Sequence, residues 1–335
     1  MKLLTVTVPC YNSQDYVENC LKSLLPGGDR LEIIIIDDGS TDATGRIADE
    51  YAARYPDMIR VIHQENGGHG EGINQGLKAA TGKYFRVVDS DDTLSADLPA
   101  YLDKLEECDA QGVDLLVTNY YYVHSDGKGD RSINFSNALK ENCVMEWKDT
   151  KRFLIDQILM IHAVTFRTEV MRRSPMALPK HVFYEDNLMV YKTLPFVKKL
   201  MYMNVDLYRY WIGRPDQSVQ RDVSMRRYKH QVQVTEMCFQ VCHLDDIKEK
   251  RLKQYLKHEM FMMFCIAITM TRLNKSEESD AALAGMWRKC FKFDKKWAKR
   301  YRWASPLVFL SFKGKFGQNL SCFFYDLANK VVRFN

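Results

Sequence analysis

The sequence predicts an α/β protein with a doubly wound, mostly parallel sheet and a C-terminal helical extension. Strand-like and helix-like segments alternate four times between residues 3 and 88, which is the pattern of successive βα units. The run LEIIII at 31–36 is continuously apolar, as a strand that is covered on both faces requires. Beyond residue 222 the chain is helical in pattern and rich in Met and Lys, with no proline until Pro306. These three observations set the fold class.

The first third of the chain contains the clearest elements. Strands are predicted at 3–8, 31–36, 58–63 and 84–88, and helices at 13–25, from about 43, and at 71–80. The first helix is amphipathic, with one apolar face formed by Tyr16, Val17, Cys20, Leu21 and Leu24. The pattern therefore predicts four strands before residue 92, with a helix after each of the first three.

Between residues 113 and 222 the alternation is looser. Strands are predicted at 114–123 and 143–147, a helix at 150–159, and two short strands within 197–211. We expect one domain over 1–222, with halves 1–112 and 113–222, followed by a helical, basic region over 223–335.

The loops after the four predicted strands are polar, glycine-rich or acidic. They read PCYNS (9–13), DDGSTD (37–42), QENGGHGEG (64–72) and DSDD (89–92). Ligands of open α/β sheets bind outside the carboxyl ends of the strands. One crevice is therefore expected to collect all four loops.

The last of these loops places Asp89, Asp91 and Asp92 within four positions. Such acids cap helices or form solvated turns, and that interpretation stays open from the residues alone. The alternative is a divalent cation, because a hard metal prefers carboxylate oxygens and cancels their repulsion.

Two phosphate-binding motifs are excluded by spacing. From Gly68 and Gly70 the third position of a dinucleotide fingerprint is Ile73, and five residues rather than four separate Gly76 from Gly82, so the P-loop pattern also fails. A metal-assisted nucleotide-diphosphate site remains. In such a site, Asp38 could accept a hydrogen bond from a base or ribose, and Tyr11 could lie against a base.

Four segments resemble successive motifs of the family 2 glycosyltransferases, which have the GT-A fold. They are VTVPCYNSQDYVENCLKSLL, IIIIDDGSTDAT, NGGHGEGINQGLKAATGKYFRVVDSDDTL and FYEDNLMV, and the match runs in the family's order from residue 3 to about 215. The resemblance implies an inverting transferase that uses Mn²⁺ or Mg²⁺. Residues 1–112 would bind the nucleotide sugar, with a UDP-sugar favoured, and 113–222 the acceptor. That acceptor is expected to be a hydroxyl of a glycan or lipid-linked molecule in cell-surface polysaccharide synthesis.

The resemblance also implies the site residues. Asp89 and Asp91 form the D-x-D motif that holds the metal, with Asp92 adjacent, and Asp186 is the expected catalytic base, beside Glu185. The nucleotide-sugar-binding candidates are Pro9, Tyr11, Asp38, Asn66, Gly68, Asn74, Ser90, Arg214 and Ser218. From the residues alone, the acid pair at 185–186 is equally an ordinary helix N-terminus. On the same basis His69 and His181 are expected to be loop histidines.

One position departs from the family pattern. Many members have Ala-Arg-Asn where this chain has Gly72, Ile73 and Asn74, so an arginine is missing. Any phosphate contact that it makes is expected from Lys83, Arg86 or Arg214 instead.

Other functions share parts of this pattern. A sugar-nucleotide nucleotidyltransferase could share the sheet and the acids, but its Gly-rich basic signature after the first strand is missing from VPCYNS. A degenerate transferase could act as a membrane-associated scaffold, and the intact Asp38, Asp89, Asp91 and Asp186 argue against it.

The C-terminal region concentrates the positive charge. The 335 residues carry a net charge of +5, yet residues 281–335 hold twelve Lys and Arg against two acids. The segment 286–316 mixes these cations with aromatic residues, which predicts attachment to the inner membrane surface, with a packed helix as the alternative; no nucleic-acid motif is present. No signal peptide or apolar span of about 20 residues is seen, so we expect a cytoplasmic, peripheral membrane protein.

Overall fold

The computed structural model describes residues 2–124, 129–212, 221–274 and 276–303, with the backbone alone at 221, 222 and 224. The chain divides into two compact units, Met1–Trp211 and Ile212–Asn335. Two predicted donor-site residues, Arg214 and Ser218, lie outside the described residues, as does the tail beyond 303.

The first unit is built on one mixed sheet. Its strands are β1 (Leu4–Cys10), β2 (Leu31–Asp37), β3 (Ile59–His63), β4 (Tyr84–Val87), β5 (Thr93–Leu94), β6 (Leu115–His124), β7 (Arg131–Ile133), β8 (Met145–Glu146), β9 (Val164–Arg167) and β10 (Lys199–Ile212). The order is β3-β2-β1-β4-β9-β6-β10-β5, with β7 on β6 and β8 on β10. Pairing is parallel from β3 to β4, and β9 joins β4 in the antiparallel sense. The predicted α/β class and the four parallel strands are confirmed.

Helices cover this sheet. They are α1 (Val17–Leu24), α2 (Thr44–Arg54), α3 (His69–Ala79), α4 (Leu98–Ala110), α5 (Thr168–Arg173) and α6 (Glu185–Thr193). Every residue of β1 and β2 is buried, as their apolar sequences predict. The α3 helix approaches β1 very closely, because a Cβ at Gly76 would overlap the Thr7 side chain. The glycines of α3 therefore fix its distance from the strand on which the site is built.

The helix predicted at 150–159 is wrong. This segment is an irregular turn whose polar groups bond to other parts of the chain. Lys151 N donates to Ala138 O at 2.8 Å, and Gln157 Nε2 donates to Asn134 O at 2.7 Å. These bonds replace the backbone ladder of a helix, so the apolar spacing of the segment reflects packing of a turn.

The two short strands predicted within 197–211 are one long strand, β10. Its start pairs with β8, where Lys199 faces Glu146, and its end pairs with β5, where Tyr208 faces Leu94. Different partners cover the two parts of the strand, so its pattern of exposure changes along its length. That change produced the prediction of two elements. The strand predicted at 143–147 is limited to the two residues of β8.

The second unit is helical over its described residues, as predicted. Its helices are α7 (Arg221–Arg226), α8 (Tyr228–Phe239), α9 (Lys250–Asn274), α10 (Glu277–Phe293) and α11 (Lys295–Trp303). An aromatic core joins them: the rings of Phe264 and Trp287 stack with centroids 4.7 Å apart, and Tyr301 lies 5.1 Å from Phe264. No helix among the described residues is long and apolar enough to cross a membrane.

The aromatic residues expected at a membrane surface are mostly part of this core. Trp287, Trp297 and Tyr301 are each at most 5% exposed, whereas Trp303 is 55% exposed. The packed-helix alternative therefore holds for Trp287, Trp297 and Tyr301, while Phe291 and Phe293 are half-buried. Phe309 and Phe312 lie outside the described residues.

Candidate active site

The four polar loops lie at one edge of the sheet, because β1 to β4 are parallel and end there. The loops also contact one another. Ser13 and Ser90 share a buried hydrogen bond of 2.8 Å between their hydroxyls, and Ser13 N donates to Thr44 Oγ1 at 2.7 Å. Ser90, predicted to bind the donor, thus joins the first loop to the acidic loop.

Asp38 organises the glycine-rich loop. Its carboxylate accepts from Gly67 N and Gly68 N, both at 2.8 Å, and from Gln64 Nε2 at 2.6 Å. Asn66 Nδ2 donates to the Asp38 carbonyl at 3.0 Å, and Gly68 has a φ of 84°, a conformation that favours glycine. Three predicted donor-site residues therefore form one preorganised loop.

An aromatic ring lies open beside that loop. Tyr11 directly follows β1 and is 54% exposed, whereas Pro9 is buried within the strand. A Cβ at Gly72 would lie 3.0 Å from the Cβ of Pro9. Gly72, at the position where the sequence departs from the family pattern, therefore allows α3 to pack closely against β1. Tyr11 has the exposure that stacking on a base requires.

Asn74 holds a different loop. Its Nδ2 donates to Leu178 O at 3.0 Å, and its Oδ1 accepts from Leu178 N at 3.1 Å. Both ends of the amide are thus bonded to the segment that leads into α6. In the structure Asn74 positions this segment rather than presenting its amide to a donor.

Lys83 and Arg86 do not replace the missing arginine, and that expectation is wrong. Lys83 precedes β4, at the opposite edge of the sheet from the loops, and is paired with Asp109. Arg86 is 1% exposed and donates to His162 O and, at 2.9 Å, to Thr165 Oγ1. Arg86 is a strand residue whose side chain points to a face of the sheet, and Lys83 lies at the other end of β4, so neither cation reaches the loops.

The acidic loop forms a metal-capable cluster with a histidine. Ligand atoms of Asp89, Asp92 and His162 all lie within 4.8 Å of one another. Asp92 is fully buried and accepts from Tyr208 Oη at 2.7 Å and from Trp211 N at 2.8 Å. The group of three leaves out Asp91, which was predicted as a ligand.

The electrostatics of the cluster favour a cation. Burial, together with the neighbouring carboxylates of Asp91 and Asp89, raises the pKa of Asp92 well above its usual range. Burial would also raise the pKa of Asp89, but the His69 and His162 rings lower it below the usual value. A bound cation would stabilise the ionised form of Asp92, which burial and the neighbouring carboxylates disfavour. Two carboxylates and an imidazole are also a donor set that fits Mn²⁺.

His69 connects this cluster to Glu185, the residue next to the expected base. Its Nδ1 lies 2.7 Å from Glu185 Oε1 and its Nε2 lies 2.9 Å from Asp89 Oδ1. Burial lowers the pKa of His69, but the two carboxylates raise it well above its usual value. The ring stands at the first residue of α3, directly after the loop that Asp38 organises.

The predicted acid pair begins α6. Glu185 is 1% exposed and bonds His69, whereas Asp186 is half-buried and accepts from Asn187 Nδ2 at 3.0 Å. Burial and the Glu185 carboxylate raise the pKa of Asp186 to about 6. Tyr184, just before the pair, has a φ of 70°, which is unusual for a non-glycine residue and typical of constrained functional loops.

Sequence reasoning missed two site residues, His69 and His162. His69 was expected to be an ordinary loop histidine, and His162 falls in a segment without a motif. The only signal was the position of His69 between Gly68 and Gly70, within a loop already assigned to the crevice.

The comparisons with known proteins agree with this geometry. The Glycosyl transferase family 2 profile matches residues 5–169. The glycosyltransferase GlyG of Streptococcus pneumoniae is 31% identical over 221 residues, which cover 57% of this chain and 71% of GlyG. The chain is a family 2 glycosyltransferase.

Two further relatives of the transferase come from Bacillus subtilis. EpsJ, an uncharacterized glycosyltransferase, is 33% identical over 59% of this chain and 58% of its own length. GgaA, a minor teichoic acid biosynthesis protein, is 30% identical over 41% of this chain and 34% of its own length. The transferase thus spans less than two thirds of both relatives.

Solved structures share its fold. Residues 1–349 of TarS from S. aureus, in complex with UDP-GlcNAc, superpose with a TM-score of 0.60 at 20% identity, covering 91% of this chain and 93% of that one. The mannosyltransferase PcManGT of Pyrobaculum calidifontis, in complex with GDP-Man and Mn²⁺, gives 0.56 at 17% identity, covering 98% and 86%. The GT-A fold of the transferase is confirmed.

Proposed function

We propose that the transferase moves a sugar, with inversion, from a nucleotide-diphosphate sugar to a hydroxyl of a glycan or lipid-linked acceptor. One observation carries the proposal: His69 joins Glu185, in the turn that bears the expected base, to Asp89 of the acidic loop. A base and a diphosphate-binding cluster at one edge are what an inverting displacement requires. The partners of Asp38 and the exposure of Tyr11 support a nucleotide base beside them.

The metal would be held by Asp89, Asp92 and His162, with Asp91 included by resemblance to the family. When bound, Mn²⁺ or Mg²⁺ supplies positive charge that offsets the diphosphate of the donor and of the leaving nucleotide. The protein's own part is to bury Asp92 and His162. Tyr208 and the Trp211 backbone orient Asp92 through their hydrogen bonds.

Asp186 is the proposed base, which takes the proton of the acceptor hydroxyl as it attacks the donor sugar. Its carboxyl has a pKa of about 6, so it is ionised near neutral pH and is a stronger base than an ordinary aspartate. The hydroxyl oxygen forms the new glycosidic bond on the face opposite the bond that breaks, and the nucleoside diphosphate departs. Asp186 retains the proton until solvent removes it.

We infer that the donor is a UDP-sugar and that the product is a cell-surface polysaccharide. The UDP-GlcNAc complex of TarS and the teichoic acid role of GgaA support these two choices. We also propose that the transferase works at the inner face of the membrane. The outward residues of α11, Lys295, Lys299 and Arg300, are exposed, and this helix contains no acid.

Thermal denaturation with nucleotide sugars tests the function. A donor present at 100 times its Kd stabilises a protein by about 2.7 kcal/mol, so the correct one should raise Tm clearly. We expect the rise in Tm with one UDP-sugar and Mn²⁺ to exceed the rise with the GDP-linked form of the same sugar. It should also exceed the rise with UDP alone. A Tyr11→Ala variant should lose much of this shift. If no nucleotide sugar raises Tm in the presence of metal, the proposed function is wrong.

A further inference from the structure

His162 is a buried histidine whose Nε2 faces the Asp89 carboxylate and whose Nδ1 has no hydrogen-bond partner among the described residues. It is 3% exposed and lies in the short 3₁₀ turn Ile161–Ala163 that leads into β9. Its Nε2 is 3.6 Å from Asp89 Oδ2, beyond hydrogen-bond length, and its Nδ1 is buried with no partner in the described part of the chain. The separation between Nε2 and the carboxylate oxygen is too long for a good hydrogen bond, and the same atoms belong to the group whose ligand atoms lie within 4.8 Å of one another.

The ring is nevertheless held firmly, by packing rather than by polar bonds. It stacks on Tyr208 with centroids 4.5 Å apart and on Tyr210 at 4.4 Å. Arg86, whose charge is buried beneath the cluster, donates to the backbone oxygen of His162. These contacts fix the position of the imidazole and leave Nε2 directed at the carboxylate.

The other histidine of the site does not share this property. Both nitrogens of His69 already bond to carboxylates, one of Glu185 and one of Asp89. A ring used in this way has no nitrogen left for a metal. A nitrogen ligand for the metal would therefore come from His162.

We propose that His162 Nε2 is a direct ligand of the metal, and that this nitrogen makes the site select a transition ion such as Mn²⁺ over Mg²⁺. The inference rests on the proposed function only for the presence of a divalent metal. Mg²⁺ strongly prefers oxygen ligands, whereas imidazole nitrogen suits transition ions. A site of two carboxylates and one imidazole therefore discriminates between the two ions. A site of carboxylates alone would discriminate between them only weakly.

Electron paramagnetic resonance of the Mn²⁺-loaded, full-length protein tests the ligand directly, without turnover. Pulsed spectra should contain the modulation of a coordinated ¹⁴N nucleus, and labelling of all histidines with ¹⁵N should change that modulation in the unaltered protein. In His162→Gln the nitrogen signal should disappear. The ratio of Mn²⁺ to Mg²⁺ affinity, measured by calorimetry, should fall about 10-fold or more.

His63→Gln is the matched control. His63 also lies between two carboxylates, 2.8 Å from Asp37 Oδ2 and 3.1 Å from Asp49 Oδ1, but outside the metal cluster. It should keep both the nitrogen signal and the ion preference. Loss of the signal in His69→Gln, with its retention in His162→Gln, would overturn the assignment.

The labelling experiment keeps the proposal testable if His162→Gln does not fold, since it needs no substitution. Wild-type protein that binds Mn²⁺ without any histidine nitrogen signal contradicts the proposal and leaves the transfer function intact, with an all-oxygen site. Conversely, a nitrogen signal in a protein that binds no nucleotide sugar would support the ligand and contradict the function.

Discussion

His69 bonds Glu185 at 2.7 Å and Asp89 at 2.9 Å, so one imidazole ring joins the first turn of α6 to the acidic loop after β4. Carboxylates accept hydrogen bonds and do not donate them when ionised, so both ring nitrogens must donate. The ring is therefore a cation between two anions. It fixes the separation between the turn that bears the base and the loop that would hold the metal.

Replacing His69 should impair catalysis more than donor binding. In His69→Gln one of the two bonds is lost and α6 is no longer held at a fixed distance from Asp89. We expect kcat to fall by about 10- to 100-fold, because small displacements of a base are costly. The Kd of the donor with Mn²⁺, measured by calorimetry, should change less than kcat. His181→Asn, an exposed histidine of the neighbouring loop, is the control and should retain wild-type kcat.

The same ring makes stability depend on pH. The pKa of His69 is higher in the folded than in the unfolded protein, so its stabilising effect is complete below the unfolded value of about 6.5. The effect is lost as pH rises through the higher folded pKa. In metal-free protein the Tm difference between wild type and His69→Gln should therefore be larger at pH 6 than at high pH. A difference that grows with pH would contradict a charged His69.

Asp186 should control the acid limb of the rate profile. A base must be ionised, so kcat should rise with pH through about 6 and level off above it. Asp186→Asn should lower kcat by at least about 10²-fold at pH 7.5 and leave donor affinity nearly intact. Asn187→Ala, which removes the hydrogen bond to Asp186 but not the carboxyl, is the matched control. A variant that loses donor affinity but keeps its turnover would exclude Asp186 as the base.

The same substitution should stabilise the fold. The folded pKa of Asp186 lies above its unfolded value, so ionising this carboxyl destabilises the native state. Asp186→Asn should raise Tm by about 2–4 °C at pH 8, where wild type carries the charge. The advantage should shrink as pH falls from 6 towards 4. Calorimetric scans at these pH values check it, and an equal shift at every pH would attribute the effect to something other than charge.

The sequence predicted the placement of the site loops better than the hydrogen bonds between their side chains. The loops after β1 to β4 were predicted to meet because parallel strands end at the same edge, and this requires only correct strand assignment. The His69–Glu185 bond joins residues 116 apart, one on each side of the sheet's change from parallel to antiparallel pairing. The periodicity of a sequence does not encode a contact at that separation, because the contact depends on β9 pairing with β4.

Lys83 and Arg86 illustrate a second limit. Both flank the acidic loop in sequence, which made them reasonable phosphate ligands. In the structure Lys83 lies at the opposite end of β4, and Arg86 is buried under Tyr208, with its guanidinium 5.6 Å from the ring centroid. Proximity along a strand does not specify which end or face a side chain reaches. Only tertiary packing decides that point.

The acids of the loop after β4 should be required for metal-dependent donor binding. Asp89→Asn removes a carboxylate that contacts His69 and lies in the metal-capable cluster, so metal-dependent donor binding and transfer should be lost while the fold remains. Asp91→Asn should have the same effect if the D-x-D resemblance applies. Asp103→Asn, at an exposed carboxylate paired with Arg30, should bind normally. Calorimetric titration with donor plus Mn²⁺ measures all three. Wild-type affinity in Asp89→Asn would mean that the cluster only orders the loop.

Attachment to the membrane should depend on charge, because Trp287, Trp297 and Tyr301 of the basic region are buried in the second unit. Deleting 286–335 would remove Trp287 and Trp297 from that core, so charge reversal on the outward face of α11 is the cleaner test. Each exposed cation near an anionic leaflet contributes about 1 kcal/mol, so Lys295→Glu with Lys299→Glu should weaken binding to anionic vesicles at least about 10-fold.

The control for this experiment is a pair of exposed cations in the first unit. Lys22→Glu with Lys148→Glu changes the net charge equally, because each lysine pairs only with a surface acid of its own segment. In co-sedimentation at low salt, that variant should bind anionic vesicles nearly as wild type does, and the α11 variant should not. Added salt should weaken wild-type binding, since exposed charges are screened over about 10 Å at 0.1 M. Binding that is indifferent to lipid charge, to salt and to α11 would place the attachment elsewhere in the chain.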